Sequence, residues 1–213
     1  MDVDELYRRL AAHYDVGDWW PAGSPWEVMV GAILTQQTAW ENAERVLGEL
    51  ERRRLLTVDG IAALPIGELE KIVRPAGFYR QKARNIKAMA RHLQQRYGSD
   101  PMGLLSKEVG EAREELLSLP GVGNETADAM LLFAGGRPRF VAAVYVSRIL
   151  TRLEVFGSED YGEVQRFIES RMVPDPSKYA HLYALMVQHA RTTCRSRPRC
   201  GACFLRPECG FSV

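Results

Sequence analysis

No apolar run in this 213-residue chain approaches the roughly 20 residues a membrane-spanning helix needs, so no membrane association is expected. The opening Met1-Asp2-Val3-Asp4-Glu5 lacks the basic and apolar regions of a secretory signal, and a cytoplasmic protein is the resulting expectation. No stretch alternates apolar and polar residues between hairpin turns, as half-buried strands would. The expected class is all-α. Cysteine is missing until position 194, and no acidic residue stands between Asp128 and Glu154. Acid is also missing from Arg80 to Ser99, where six basic residues occur: Arg80, Lys82, Arg84, Lys87, Arg91 and Arg96. A net charge of +1 excludes a strong overall pull toward nucleic acid. Local basic stripes still suit a protein that touches a few phosphates. The alternative is a solvated helix face.

The composition, 46% hydrophobic and 26% charged, is that of an ordinary globular protein. Its length allows one large domain or two small ones. Periodicity predicts helices over 3–14, within 25–50, and over 41–52, 67–73 and 82–96. Leu116 to Leu132 organises the rest. Apolar residues run up to Pro120, Gly121-Val122-Gly123 makes a two-glycine turn, and a second helix begins near Thr126. Glycines let a backbone turn tightly and approach another backbone closely. The amides that open a helix are unpaired and attract phosphate. On spacing alone, an ordinary helical corner competes equally.

The string Leu119-Pro120-Gly121-Val122-Gly123-Asn124-Glu125-Thr126-Ala127 resembles the helix-hairpin-helix of the endonuclease III superfamily of DNA glycosylases. The resemblance runs from about Leu6 to Cys209. It implies a hairpin that binds the phosphate backbone of double-stranded DNA beside a damaged or mispaired base. Gly121, Val122, Gly123, Asn124 and Thr126 are its implied contacts. It also implies two helical domains with a DNA groove between them: residues 23–133, and residues 1–22 with 134–213. A monomer is expected. Gly31 to Trp40, with Gln36-Gln37, is similar to a helix end from which a glutamine enters the space left by a flipped nucleotide. Gln36 and Gln37 both remain candidates. Trp40 is either a stacking partner for an extruded base or a core residue. Gly77-Phe78-Tyr79-Arg80-Gln81-Lys82-Ala83 looks like the loop that wedges a side chain into DNA. Phe78, Tyr79 or Arg80 would fill that role, with Lys82 a further phosphate contact, and packing of the two aromatics on the next helix is the alternative.

Two departures from the pattern bear on chemistry. Bifunctional members carry, two residues after the second hairpin glycine, a lysine whose amine attacks the sugar to form a Schiff base; here that residue is Glu125. The family's catalytic aspartate falls at Ala143 when Tyr145 and Arg148 are aligned with its motif, and the missing acids nearby prevent any shifted alignment from restoring it. Glu125, a water held by Tyr145, or the phosphate of the DNA is left as a source of compensating charge, and Arg148 as a DNA contact.

Every cysteine belongs to Cys194-x5-Cys200-x2-Cys203-x5-Cys209. Four thiols so close together point to a metal site, and zinc is the general expectation. The pattern resembles the [4Fe-4S] loop of endonuclease III, with one residue fewer in the first gap. The resemblance as a whole implies a monofunctional, weak DNA glycosylase. The alternative is a damaged-DNA-binding protein without turnover, natural or an Asp-to-Ala form.

Overall fold

The computed structural model describes residues 1–17 and 19–211, and among them every regular element is helical. The chain forms two units, Trp20–Gly136 and Met1–Trp19 with Arg137–Val213.

In the first unit, α2 (Pro25–Leu34) begins where the Ser24 hydroxyl accepts from the Glu27 amide at 3.2 Å and Pro25 takes the first turn. Trp26 and Val28 through Leu34 are all buried. A helix apolar on every side belongs inside, and this one forms the spine of the unit. Helix α3 (Trp40–Arg52) is amphipathic and packs Ala43, Val46, Leu47 and Leu50 inward. The short α4 (Val58–Ala63), capped by Thr57, and α5 (Ile66–Val73) lead to a 3-10 turn at Arg74–Ala76. Helix α6 (Tyr79–Tyr97) ends at Gly98, whose left-handed φ of +57° stops it. Then come α7 (Pro101–Leu105), α8 (Val109–Leu117) and α9 (Asn124–Ala129), which continues as a π turn over Met130–Ala134. Helices α4 and α7 are too short to show a period in sequence.

In the second unit, α1 (Val3–His13) buries Val3, Leu6 and Leu10 and packs on α12 (Pro176–Thr192). Hydroxyls of Tyr7 and Tyr14 hydrogen-bond Nδ1 of His181 and His189 at 2.9 and 3.0 Å. After Pro138 the chain runs without regular secondary structure to Ala143, then enters α10 (Val144–Arg152). That stretch is pinned to α11 (Tyr161–Glu169): the Phe140 amide donates to Glu169 at 2.9 Å, and the buried Gln165 donates to the Phe140 carbonyl at 2.6 Å.

Candidate nucleic-acid interface and cysteine loop

The hairpin between α8 and α9 depends on one glycine for its shape and leaves the other open. Gly121 has φ +76°, and a Cβ there would lie 1.8 Å from the Asn85 side-chain nitrogen. No other residue fits. Gly123 caps α9 in extended conformation, and a Cβ there would meet nothing within 4 Å. No side chain caps α9. Val122 departs from the expected contact: its side chain is in the core and its amide donates to the Leu119 carbonyl at 3.2 Å. Arg113 from α8 fixes the turn by donating to the fully buried Asp128 at 2.7 Å and to the Asn124 side-chain oxygen at 2.9 Å.

The two glutamines separate. Gln36 Nε2 donates to the Gly121 carbonyl at 2.9 Å and to Thr126 Oγ1 at 3.0 Å, so both Gln36 and the buried Thr126 brace the hairpin from within. Gln37 is exposed and sits at φ +51°, a left-handed conformation that a glutamine seldom adopts. Trp40 is half-buried, its ring edge-on to Trp20 at 6.0 Å, and Trp20 in turn leans on Phe133 at 5.1 Å.

The next loop also selects among its candidates. Tyr79 packs on the core. Phe78 is 66% exposed at φ +42°, an apolar side chain held outward on a strained backbone. Arg80 is exposed, 5.7 Å from the Tyr79 ring. The basic stripe is smaller than its sequence suggests. Lys87 is buried and donates to the Ala62 carbonyl at 2.8 Å, closing the end of α4. Arg96 pairs with Glu115 at 3.3 Å. Lys82 does not face solvent: it is 3% exposed and its ammonium is enclosed by backbone and hydroxyl oxygens, which leaves it nothing to offer a phosphate. Arg80, Arg84 and Arg91 remain on the surface.

Glu125 stands in the first turn of α9, and desolvation raises its carboxyl above the ordinary range. In the other unit, Ala143 is fully buried and occupies the N-cap position of α10, with φ −58° and ψ 158° and no side-chain cap. The following Val144 is 67% exposed. Tyr145 is half-buried, 6.0 Å from the Arg148 guanidinium. Arg148 Nε donates to the Cys194 carbonyl at 3.1 Å, so this residue ties α10 to the cysteine loop.

Cys194, Cys200, Cys203 and Cys209 are all half-buried and in no disulfide. Arg152 Nη1 lies 3.4 Å from Cys194 Sγ, and Cys209 Sγ is 3.2 Å from the Arg152 carbonyl. Among the described residues no three His, Cys, Asp or Glu side chains gather closely enough for a single metal ion. One tetrahedral zinc with bonds of about 2.3 Å would need sulfurs about 3.8 Å apart. Four cysteine thiols are a donor set of the kind that iron–sulfur clusters take.

Residues 30–174 match the HhH-GPD superfamily of base excision DNA repair proteins. A protein of Methanocaldococcus jannaschii with the provisional name DNA repair glycosylase is 37% identical over 209 residues, covering 97% of this chain and 95% of the relative. Among solved structures, a trapped endonuclease III–DNA covalent intermediate superposes with a TM-score of 0.82 at 26% identity, over 98% of this chain and 94% of that one. The 3-methyladenine DNA glycosylase of H. pylori, bound to 1,N6-ethenoadenine, gives 0.80 at 25%, over 90% of this chain and 98% of that one. With a hairpin built on Gly121 and a helical match over nearly its whole length, the chain belongs to the endonuclease III-like branch of the helix-hairpin-helix superfamily of base excision repair DNA glycosylases.

Proposed function

We propose that the protein binds double-stranded DNA through its hairpin, places Phe78 and Gln37 beside an extruded nucleotide, and releases the damaged base without cutting the strand. The observation that carries this reading is Glu125 on the hairpin helix: a carboxylate has no amine with which to form a Schiff base. Breaking the glycosidic bond leaves positive charge on the sugar, which a nearby carboxylate ordinarily stabilises. Ala143 supplies none. Alkylated purines, already cationic as leaving groups, require the least stabilisation and are the proposed substrate class. Trp40 is the proposed wall for the extruded base. Duplexes carrying a panel of lesions, scored for free base, test the reading: release should be fastest from an alkylated purine. The second reading, binding without turnover, is favoured by the loss of both catalytic groups and predicts no release from any duplex.

The glycine pair separates folding from binding. Gly121→Ala introduces a side chain at positive φ and against Asn85, so thermal stability and affinity for every duplex should fall together. Gly123→Val meets open space, so the melting temperature should hold while affinity falls, because the added bulk stands where a phosphate approaches. Equal affinity for the Gly123→Val protein would remove the hairpin from the interface.

The four cysteines are proposed to hold a [4Fe-4S] cluster. When bound, the cluster cross-links the C-terminal loop. The chain's own part is to hold the thiols, aided by Arg152 beside Cys194, and to carry Arg195, Arg197 and Arg199 in the first gap as partners for phosphate. Iron and sulfide analysis should find about four of each per chain, with a yellow-brown colour. A colourless protein with one zinc would contradict it.

A further inference from the structure

The Lys82 ammonium meets four oxygens from three segments, each at 2.8 Å: the Leu34 carbonyl ending α2, the Gln36 carbonyl and Thr38 Oγ1 in the turn that follows, and the Ala76 carbonyl before Gly77. The Thr38 hydroxyl also donates to the Ala76 carbonyl. The site is buried, so water does not replace these bonds. Its acceptors bracket two strained residues. Gln37 lies between Gln36 and Thr38, and Phe78 is two residues beyond Ala76; both are exposed and left-handed. A non-glycine residue keeps such a conformation only where its surroundings over-determine it.

We propose that Lys82 is a positioning residue for lesion recognition: its ammonium clamps the turn after α2 to the loop before α6, presenting Gln37 and Phe78 together without itself touching DNA. The inference rests on the roles given above to Gln37 and Phe78. Only a compact cation serves here. Three N–H donors shared among four converging oxygens match an ammonium, whereas the planar guanidinium fork of arginine does not. A neutral amine would lose one donor and turn a lone pair toward an oxygen.

Desolvation lowers the Lys82 pKa to about 8. The other charged and titratable side chains on the surrounding elements are Glu41, Glu70, Lys71, Arg74, Tyr79 and Arg80. Lesion preference should therefore fall as pH rises through about 8. Stability should move the other way. The folded pKa is below the unfolded one, so between them the unfolded chain binds more protons, and this group's contribution to stability rises with pH. A merely structural lysine would move stability and recognition together.

The test uses Lys82→Met and Lys82→Arg in the full chain. Hydrogen exchange, without DNA, should quicken about tenfold or more at residues 36–39 and 77–79 in Lys82→Met. The preference for a duplex with a tetrahydrofuran abasic analogue over an undamaged duplex should fall about tenfold, with the salt slope unchanged. The pH-dependent loss of preference should vanish in Lys82→Arg, whose guanidinium does not titrate in this range. Unchanged exchange in either segment overturns the proposal, and so does a salt slope lowered by about one, the mark of a lost phosphate contact. If Lys82→Met does not fold, the pH series on the unaltered protein decides, and a flat lesion preference from pH 7 to 9.5 overturns the clamp. If the unaltered protein shows no preference for the abasic analogue, the functional reading fails, and the exchange measurement on Lys82→Met still decides whether the clamp exists.

Discussion

Ala143→Asp should raise base excision by roughly 10²–10³-fold on at least one lesion, the usual worth of a single preorganised electrostatic group. The backbone is already arranged for it. Ala143 is the N-cap of α10, with extended dihedrals and no side chain serving the helix. Aspartate is among the best residues for that position, because its oxygen accepts from amides of the first turn. The positive end of the helix would also keep it ionised. Ala143 is fully buried, so the carboxylate incurs a desolvation cost that the amides must offset. A melting curve beside the rate shows whether they do. An unchanged rate in a folded protein would place the missing charge elsewhere, and Glu125→Gln would then be the informative variant. The Glu125 carboxyl is raised by desolvation. If its anion supplies the residual charge, the unaltered protein's rate should decline as pH falls through that raised value, where the carboxyl takes up a proton.

The second large effect is a change in reaction type. The double substitution Glu125→Lys with Ala143→Asp should yield a complex trapped by borohydride, whereas Ala143→Asp alone should release base and trap nothing. The lysine amine attacks the sugar C1′ as the base departs, and the iminium that follows is what borohydride reduces. Glu125→Lys alone should leave base release slow, since an amine does not supply the missing negative charge. Denaturing gels after borohydride read all three proteins. A trapped complex with Ala143→Asp alone would mean that another amine serves the site.

What the sequence revealed of this site followed from local rules. A left-handed glycine against Asn85 leaves its mark at Gly121, and the apolar run from Val28 to Leu34 leaves one in α2. The loss of an acid at Ala143 is visible because no acidic residue stands between Asp128 and Glu154 to substitute. What stayed hidden depends on burial. The series Arg80, Lys82, Arg84, Lys87, Arg91 and Arg96 reads as six surface cations, yet Lys82 and Lys87 turn inward to carbonyls that only tertiary contact brings near. Gln36 and Gln37 are the same residue type, and only the backbone reversal at Gln37 sends one to the hairpin and the other to solvent. Val122 and Thr126 carry motif letters but spend their side chains in the core or on Gln36.

The most direct measurement of the central claim incubates the unaltered protein with duplexes bearing alkylated purines and other lesions, then compares strand breaks before and after alkali, with free base quantified in parallel. Free base, with breaks that appear only after alkali, is expected from at least one alkylated purine. Breaks without alkali, together with a borohydride-trapped complex, would contradict it, as would the absence of free base from every duplex.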